Sequence, residues 1–418
     1  MPTTTGFAPF AKDSLSHSNT AATTKGGLSP SGELPALGWL SLAMGLGVAN
    51  TFYCQALLPA MADSWKVSAA QVILVPAFSQ WGLATGLLLL VPLGDVMERR
   101  RLLVWAAVGS AVACALLALA PDLRLALPAA VLLGLFSLVT SLLPPFAARL
   151  TPPDRLGGVL GTLLAGQFTG LLLSRTLSGF LAQLQSWRLI YVLAAPMMGL
   201  IALWFHRYLP RQLPERVIPY WALQRSQLTL WSSFAELRRT CIRQGLLFGT
   251  FMAMWSALAL HLAAAPFRFN SGQIGLFALV GVLSIAFAPV IGRLVDRYGT
   301  RSLLIQMGVL AVLALTLLRL GSGSIAVLAI GMACLDVAMQ GTYVAHQTLL
   351  LSLNSEARNR ILAWLMFTAY LGATLCTLLL TPLWARWQWQ GATSLGLILI
   401  LLALLLAVLP LREPRRGE

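Results

Sequence analysis

Asp336 is the one carboxylate among the chain's 14 acidic residues that sits deep inside an apolar run. If that run, which begins at Ile325, is helical, its rise of about 1.5 Å per residue carries Asp336 about 16 Å along, near the middle of a hydrocarbon layer about 30 Å thick. At about 100° per residue, Gln340, Tyr343 and Gln347 fall within about 40° of it and extend a polar stripe over several turns. Ionisable groups at such a depth cost on the order of 3 kcal/mol, so each is a candidate for function. Asp336 can take up and release a proton; the plainer role is a structural carboxylate held by neighbouring hydrogen bonds or by a helix cap. Arg175 is the one basic residue inside an apolar run. A buried cation needs a partner, and three roles are open to Arg175: pairing with Asp336, holding an anionic substrate, or joining a polar network. Asn50, Tyr53, Gln55, Gln80, Gln167, His261 and His346 are further polar side chains in apolar runs. Taken singly, each is more often a satisfied packing residue than a ligand.

These groups stand out against very apolar surroundings. Of 418 residues, 58% are hydrophobic and 10% charged, whereas a soluble domain carries about 25% charged residues. That composition excludes a nucleic-acid binder, a globular enzyme and a coiled-coil or collagen rod. A membrane-spanning helix takes about 20 apolar residues, so twelve take about 240, close to the hydrophobic share of this chain. Twelve apolar segments run over 36–60, 70–92, 102–120, 125–147, 157–182, 189–208, 243–264, 272–291, 302–319, 325–350, 361–382 and 392–410. Open strands cannot cross hydrocarbon, and the alternation of a membrane barrel is absent, so the segments are predicted to be helices. The fold class expected is an all-α membrane protein.

The net charge of +15 is placed with a clear bias. Loops holding Arg99 to Arg101, Arg149, Arg155, the seven arginines between 206 and 243, Arg293, Arg297, Arg301, Arg358 and Arg360 share one side with both tails. The alternate loops hold Lys66, Arg124, Arg188, Arg268, Arg319 and Arg386. By the positive-inside rule both termini and the central loop are expected in the cytoplasm. The arginines of the central loop are expected against anionic headgroups, with an interfacial helix around 230–244. The first 33 residues read as a disordered tail. The five cysteines, Cys54, Cys114, Cys241, Cys334 and Cys376, fit no metal spacing and imply no disulfide framework. No metal, cofactor or nucleic-acid partner is expected, and no catalytic constellation or GxxxxGK[ST] loop is present.

The chain also repeats itself. "PLGDVMERRRLL" follows the second segment and "IGRLVDRYGTRSLL" the eighth, with Asp95 and Asp296 201 residues apart; Arg155 and Arg358 are 203 apart. Matched loops at nearly one offset indicate a duplicated unit. The expected division is a tail over 1–34, one six-helix bundle over 35–209, a linker over 210–242, a second bundle over 243–411 and a tail over 412–418.

Gly292, Asp296, Arg297, Gly299 and Arg301 form the pattern G-x-x-x-D-R-x-G-x-R. With it, and with stretches such as "SRTLSGFLA" and "CLDVAMQ", the chain resembles the major facilitator superfamily over about residues 38 to 411, in particular bacterial permeases labelled drug or sugar efflux proteins. The first copy of the loop departs from the pattern: Val91, Val96 and Glu98 replace its Gly, Arg and Gly, while Asp95 and Arg99 to Arg101 remain. The resemblance implies two six-helix bundles that rock about a central cavity, no enzymatic activity, and a monomer in the inner membrane. It implies proton-coupled efflux of a small organic compound, or uptake or facilitated diffusion of a sugar-like or carboxylate solute. The cavity is expected to be lined by Asp336, Arg175, Gln340, Tyr343, Gln347, Asn50, Tyr53 and Gln80, and the cytoplasmic gate to be formed by Asp95, Arg99, Gly292, Asp296, Arg297, Gly299 and Arg301. Gly158, Thr162, Gly166, Gly170, Ser174 and Ser178 recur every fourth residue and are expected to be packing surface where the two halves slide past each other.

Overall fold

The computed structural model describes residues 37–213, 219–281, 287, 290, 291, 293, 294, 297–351, 353 and 358–408. The regular elements among them are all helical: α1 Leu37–Trp65, α2 Ala69–Val72, α3 Leu74–Leu89, α4 Arg99–Leu119, α5 Leu123–Phe136, α6 Val139–Leu150, α7 Leu156–Leu184, α8 Arg188–Tyr208, α9 Tyr220–Ser233, α10 Ala235–Ala263, α11 Ser271–Phe277, α12 Thr300–Leu320, α13 Ile325–Leu351 and α14 Arg358–Val408. Both expected tails, and Gly292 and Asp296, lie outside the described residues. Among the described residues, ten helical stretches are long and apolar enough to cross a membrane. The last of them, 360–408, has 49 residues, about twice what one crossing needs. Its backbone turns at Gln388 (φ 44°, ψ −127°), so α14 holds two spans. α11 is the start of the segment predicted at 272–291.

Outward-facing stripes carry large apolar side chains in the open: Val108, Val112, Leu116 and Leu119 of α4 are exposed, Leu119 by 78%. In water such a surface would be a liability; against acyl chains it is the expected one. The duplication is visible in the caps. Ser68 and Gln71 form a capping box at α2, and Asn270 and Gln273 form the same box at α11, at an offset that matches the repeated loops. In each box the first side chain accepts from the third backbone N–H and the third side chain answers the first.

Three features differ from the sequence reading. The segment at 125–147 breaks at Ser137 into α5 and α6, where the Ser137 hydroxyl turns back to donate to the Leu133 carbonyl at 2.6 Å. The helix expected around 230–244 begins earlier, at Tyr220, and stops at Ser233; α10 takes the rest. The small-residue stripe of α7 packs on α1, inside one half, from Thr162 to Ser178, while Gly158 meets no neighbour among the described residues. A Cβ on Gly170 would lie 2.1 Å from the Gly45 carbonyl oxygen and one on Gly166 2.3 Å from that of Ser41. Spacing fixes which face of a helix is small, but it does not name the helix that comes close.

Contacts between the halves use other residues. α3 runs along α14, α7 meets α11, and α1 lies on α10. At the α7–α11 crossing, a Cβ on Gly179 would be 2.2 Å from the Ser271 carbonyl oxygen and one on Gly275 2.5 Å from that of Arg175. The Thr176 hydroxyl donates to the Gly275 carbonyl at 2.9 Å, and the Gln183 amide donates to Asn270 Oδ1.

Candidate functional site

Four long helices, α1, α7, α10 and α13, bring their polar side chains to one level of the molecule. From α7, the Arg175 Nε–H donates to Gln55 Oε1 of α1 at 2.6 Å. Its guanidinium carbon stands 4.4 Å from the centroid of the Trp255 ring of α10 and 5.4 Å from that of Phe52 of α1. On its edge, Trp255 donates its indole N–H to Asp336 Oδ1 of α13 at 3.3 Å. One indole thus carries a cation of the first half on its face and a carboxylate of the second half on its edge. Arg175 and Asp336 are each 5% exposed and act on each other electrostatically. A cation over an aromatic ring gains about 2 kcal/mol when desolvated, and the opposite charge nearby offsets part of the cost of burial.

The network extends to α3 through a sulfur atom. Met252 of α10 lies 3.6 Å from the Gln55 amide nitrogen and 3.8 Å from that of Gln80, weak acceptor contacts. A small cavity lined by Gln55, Arg175, Trp255, Ile274 and Phe277 adjoins it. Phe52, Met252 and Ala373 form an apolar cluster against which Phe248, Phe251 and Leu171 pack.

The expected cavity residues therefore divide. Asp336, Arg175 and Gln80 belong to one network. Tyr343 and Gln347 form a pair further along α13: the Gln347 amide donates to the Tyr343 hydroxyl at 2.6 Å, which in turn faces the Met366 sulfur. Gln340 is half-buried on the same helix. Tyr53 turns into the first half, edge-on to Tyr191 at 6.0 Å. Asn50 is 1% exposed, and neither its amide nitrogen nor its oxygen has a hydrogen-bond partner among the described residues. His346 holds Gln244 of α10 at 2.8 Å, and His261 lies flat on Trp389, 4.4 Å away. Trp255 and Met252 were not among the sequence candidates. Nothing in the sequence set Trp255 apart, since Trp81 also falls in the middle of an apolar segment.

The expected gate residues are placed only in part. Asp95 pairs with Arg99 at 2.8 Å inside its own loop, and the Arg99 Nε–H also donates to the Gly94 carbonyl. Arg301 donates to the Val408 carbonyl at 3.1 Å, and Arg297 lies over the Tyr298 ring. Gly299 adopts φ 77°, a left-handed conformation that glycine takes without a steric penalty. Among the described residues no three His, Cys, Asp or Glu side chains come together as metal ligands.

The sequence model described as Major Facilitator Superfamily matches residues 40–267 and 240–418. The chain belongs to the major facilitator superfamily. It is 35% identical over 366 residues, 88% of this chain and 93% of the relative, to a protein of Escherichia coli O157:H7 named as the uncharacterized transporter YgaY. It is 31% identical over 358 residues, 85% of this chain and 83% of the relative, to a Streptomyces coelicolor protein named as probable transporter SCO4007. Among solved superfamily-like structures, the nucleoside transporter NupG superposes with a TM-score of 0.68 at 14% identity, over 88% of this chain and 97% of that one. A D-xylose-proton symporter superposes with a TM-score of 0.64 at 16% identity, over 88% and 96%. At these identities the structures speak for the fold. With the relatives they make this an all-helical, multi-pass membrane transporter of the superfamily. The Trp255 network joins α1 and α7 to α10 and α13.

Proposed function

We propose that this chain is a secondary active transporter that expels a small organic compound in exchange for protons, with Asp336 as the group that binds the proton. The observation that carries the reading is the shared indole: Trp255 holds Arg175 of one half and Asp336 of the other at the same level between them. A proton on Asp336 cancels its charge, and with it the pull on Arg175 across the interface. Opposite charges in a low-dielectric interior attract far more strongly than in water, so that loss favours separation of the halves at this level. Substrate and proton are coupled because both bias one equilibrium between two arrangements of the bundles. The bundles comprise residues 35–209 and 243–411, joined by 210–242. The tails over 1–34 and 412–418 lie on the cytoplasmic side of the inner membrane, and one chain suffices for transport.

A second reading, uptake or facilitated diffusion of a sugar-like or carboxylate solute, is favoured by the position of Arg175. An anion bound there competes with Asp336 for the guanidinium and leaves the carboxylate to take a proton, so solute and proton bind together. Exchange requires the opposite sign, with solute and proton displacing each other. Flux in proteoliposomes with an imposed pH gradient and a panel of compounds separates the two. Accumulation against proton flow supports exchange, accumulation with it supports uptake, and flux indifferent to the gradient supports a facilitator. Asp336→Asn is expected to lower gradient-driven flux by about tenfold or more, the equivalent of 1.4 kcal/mol or more of coupling. Unchanged gradient-driven flux in that variant would remove the proton role. Near-normal flux in both Arg175→Ala and Arg175→Lys would leave Arg175 a structural residue.

A further inference from the structure

We propose that α9 is a strap that holds the two halves together at the end of the molecule where α3 finishes and α14 begins, and so sets how readily they part there. The inference rests on the transport reading only in requiring that the halves move.

α9 binds the first half through one end of its inner face. The Tyr220 hydroxyl donates to the Leu89 carbonyl at 3.0 Å, and the Gln224 amide donates to the Leu88 carbonyl at 3.1 Å and to the Tyr220 hydroxyl at 2.8 Å. Leu88 and Leu89 are the last residues of α3, where helix carbonyls have no partner within the helix and must find one elsewhere. Tyr220 and Gln224 stand four residues apart, on the same side of α9, and supply it.

The rest of that face binds the second half. The Trp364 indole N–H donates to the Gln227 carbonyl at 3.1 Å, and Arg360 donates to the Ser226 hydroxyl at 2.8 Å. Trp231 lies 4.5 Å from Trp364, centroid to centroid. Gln227 is 2% exposed and Leu223 8%, while Trp221 on the outer face is 74% exposed. Leu88 itself packs into the cluster of Ile361, Trp364 and Leu365, so α9 lies over the seam between α3 and α14. Its polar contacts to the two halves are separate sets of residues, and each can be removed without touching the other or the Trp255 network.

The test is a distance measurement between spin labels on Arg101→Cys of α4 and Gln306→Cys of α12, both exposed; the native cysteines are buried or half-buried. Tyr220→Phe with Gln224→Leu removes the bonds to α3. Trp364→Phe removes the bond to Gln227 and keeps a ring against Trp231. Each variant is expected to move the label distances toward larger separations, with about a tenfold change in the open-to-closed ratio for the double variant, what the loss of two ordinary hydrogen bonds produces. A shift in either variant at an unchanged unfolding temperature supports the strap. Distributions that coincide with the parent in both variants overturn it. The distances are read without any substrate, so a failure to find transport leaves this result standing on its own.

Discussion

Along α7, small residues let the backbone approach α1 at Gly166 and Gly170 and approach α11 at Gly179, with similar closeness. The first contact joins two helices of one half and is long: Ser41 donates to the Thr162 carbonyl at 2.9 Å at one end, and Ser178 donates to the Tyr53 carbonyl at 3.1 Å at the other. The second joins the halves and places its backbone approaches and hydrogen bonds within Arg175–Gln183 and Asn270–Gly275. Arg175 sits where the two meet, its carbonyl against Gly275 and its side chain on Trp255. A contact that must persist can spread over many turns, whereas one that must open is better kept to a few bonds that can be broken together.

The comparison is broken most forcefully at Gly170. A leucine there would drive its Cβ to 2.1 Å from the Gly45 carbonyl, and backbone cannot yield as a flexible side chain can. Overpacking of this kind costs about 1–3 kcal/mol and more where helices must part. Gly170→Leu is expected to lower the unfolding temperature in detergent and the yield of folded protein, with no selective change in which compound is carried. Normal folding with altered selectivity would show that this face belongs to the site. Gly179→Leu, with an equally close contact at 2.2 Å, should act on the other side of the comparison. The folded yield stays near that of the parent, the α7–α11 crossing is held apart, and flux falls by about tenfold or more as one conformation is lost. A folding defect as large as that of Gly170→Leu would erase the distinction between the two contacts.

What the sequence could reveal follows the same division. The depth of Asp336, the isolation of Arg175 and the periodicity of the α7 stripe are one-dimensional facts, because charge is costly in an apolar segment and helical spacing defines a face. The partner of each is a three-dimensional fact. Trp255 reads as one more apolar residue of its segment until Asp336 is seen at its N–H, and nothing in the spacing links Gln80 to Gln55 through Met252. Tyr53 shows the reverse error. Its hydroxyl marks it as polar in sequence, but its ring completes an aromatic cluster with Tyr191, which in turn meets Trp187. The polar stripe below Asp336 was legible as a face, yet Tyr343 and Gln347 satisfy each other at a different level.

The finest comparison is between two hydroxyls two residues apart on α7. Thr176 donates to Gly275 across the halves, and Ser178 donates to Tyr53 within one half, with a second acceptor at the Arg175 carbonyl. Hydrogen bonds between membrane helices average about 0.6 kcal/mol, so neither loss unfolds the protein. Thr176→Val removes the donor at nearly constant shape and is expected to change the open-to-closed ratio at the α7–α11 crossing by about threefold, the equivalent of that energy. It should do so without moving the unfolding temperature. Ser178→Ala should lower the unfolding temperature by a degree or two, as expected for about 0.6 kcal/mol in a chain of this size, and leave the ratio alone. Distances across the crossing and thermal unfolding, measured on both variants, give four numbers. If both substitutions move the same pair, α7 has one packing surface and Arg175 does not stand at a boundary between a fixed contact and a working one.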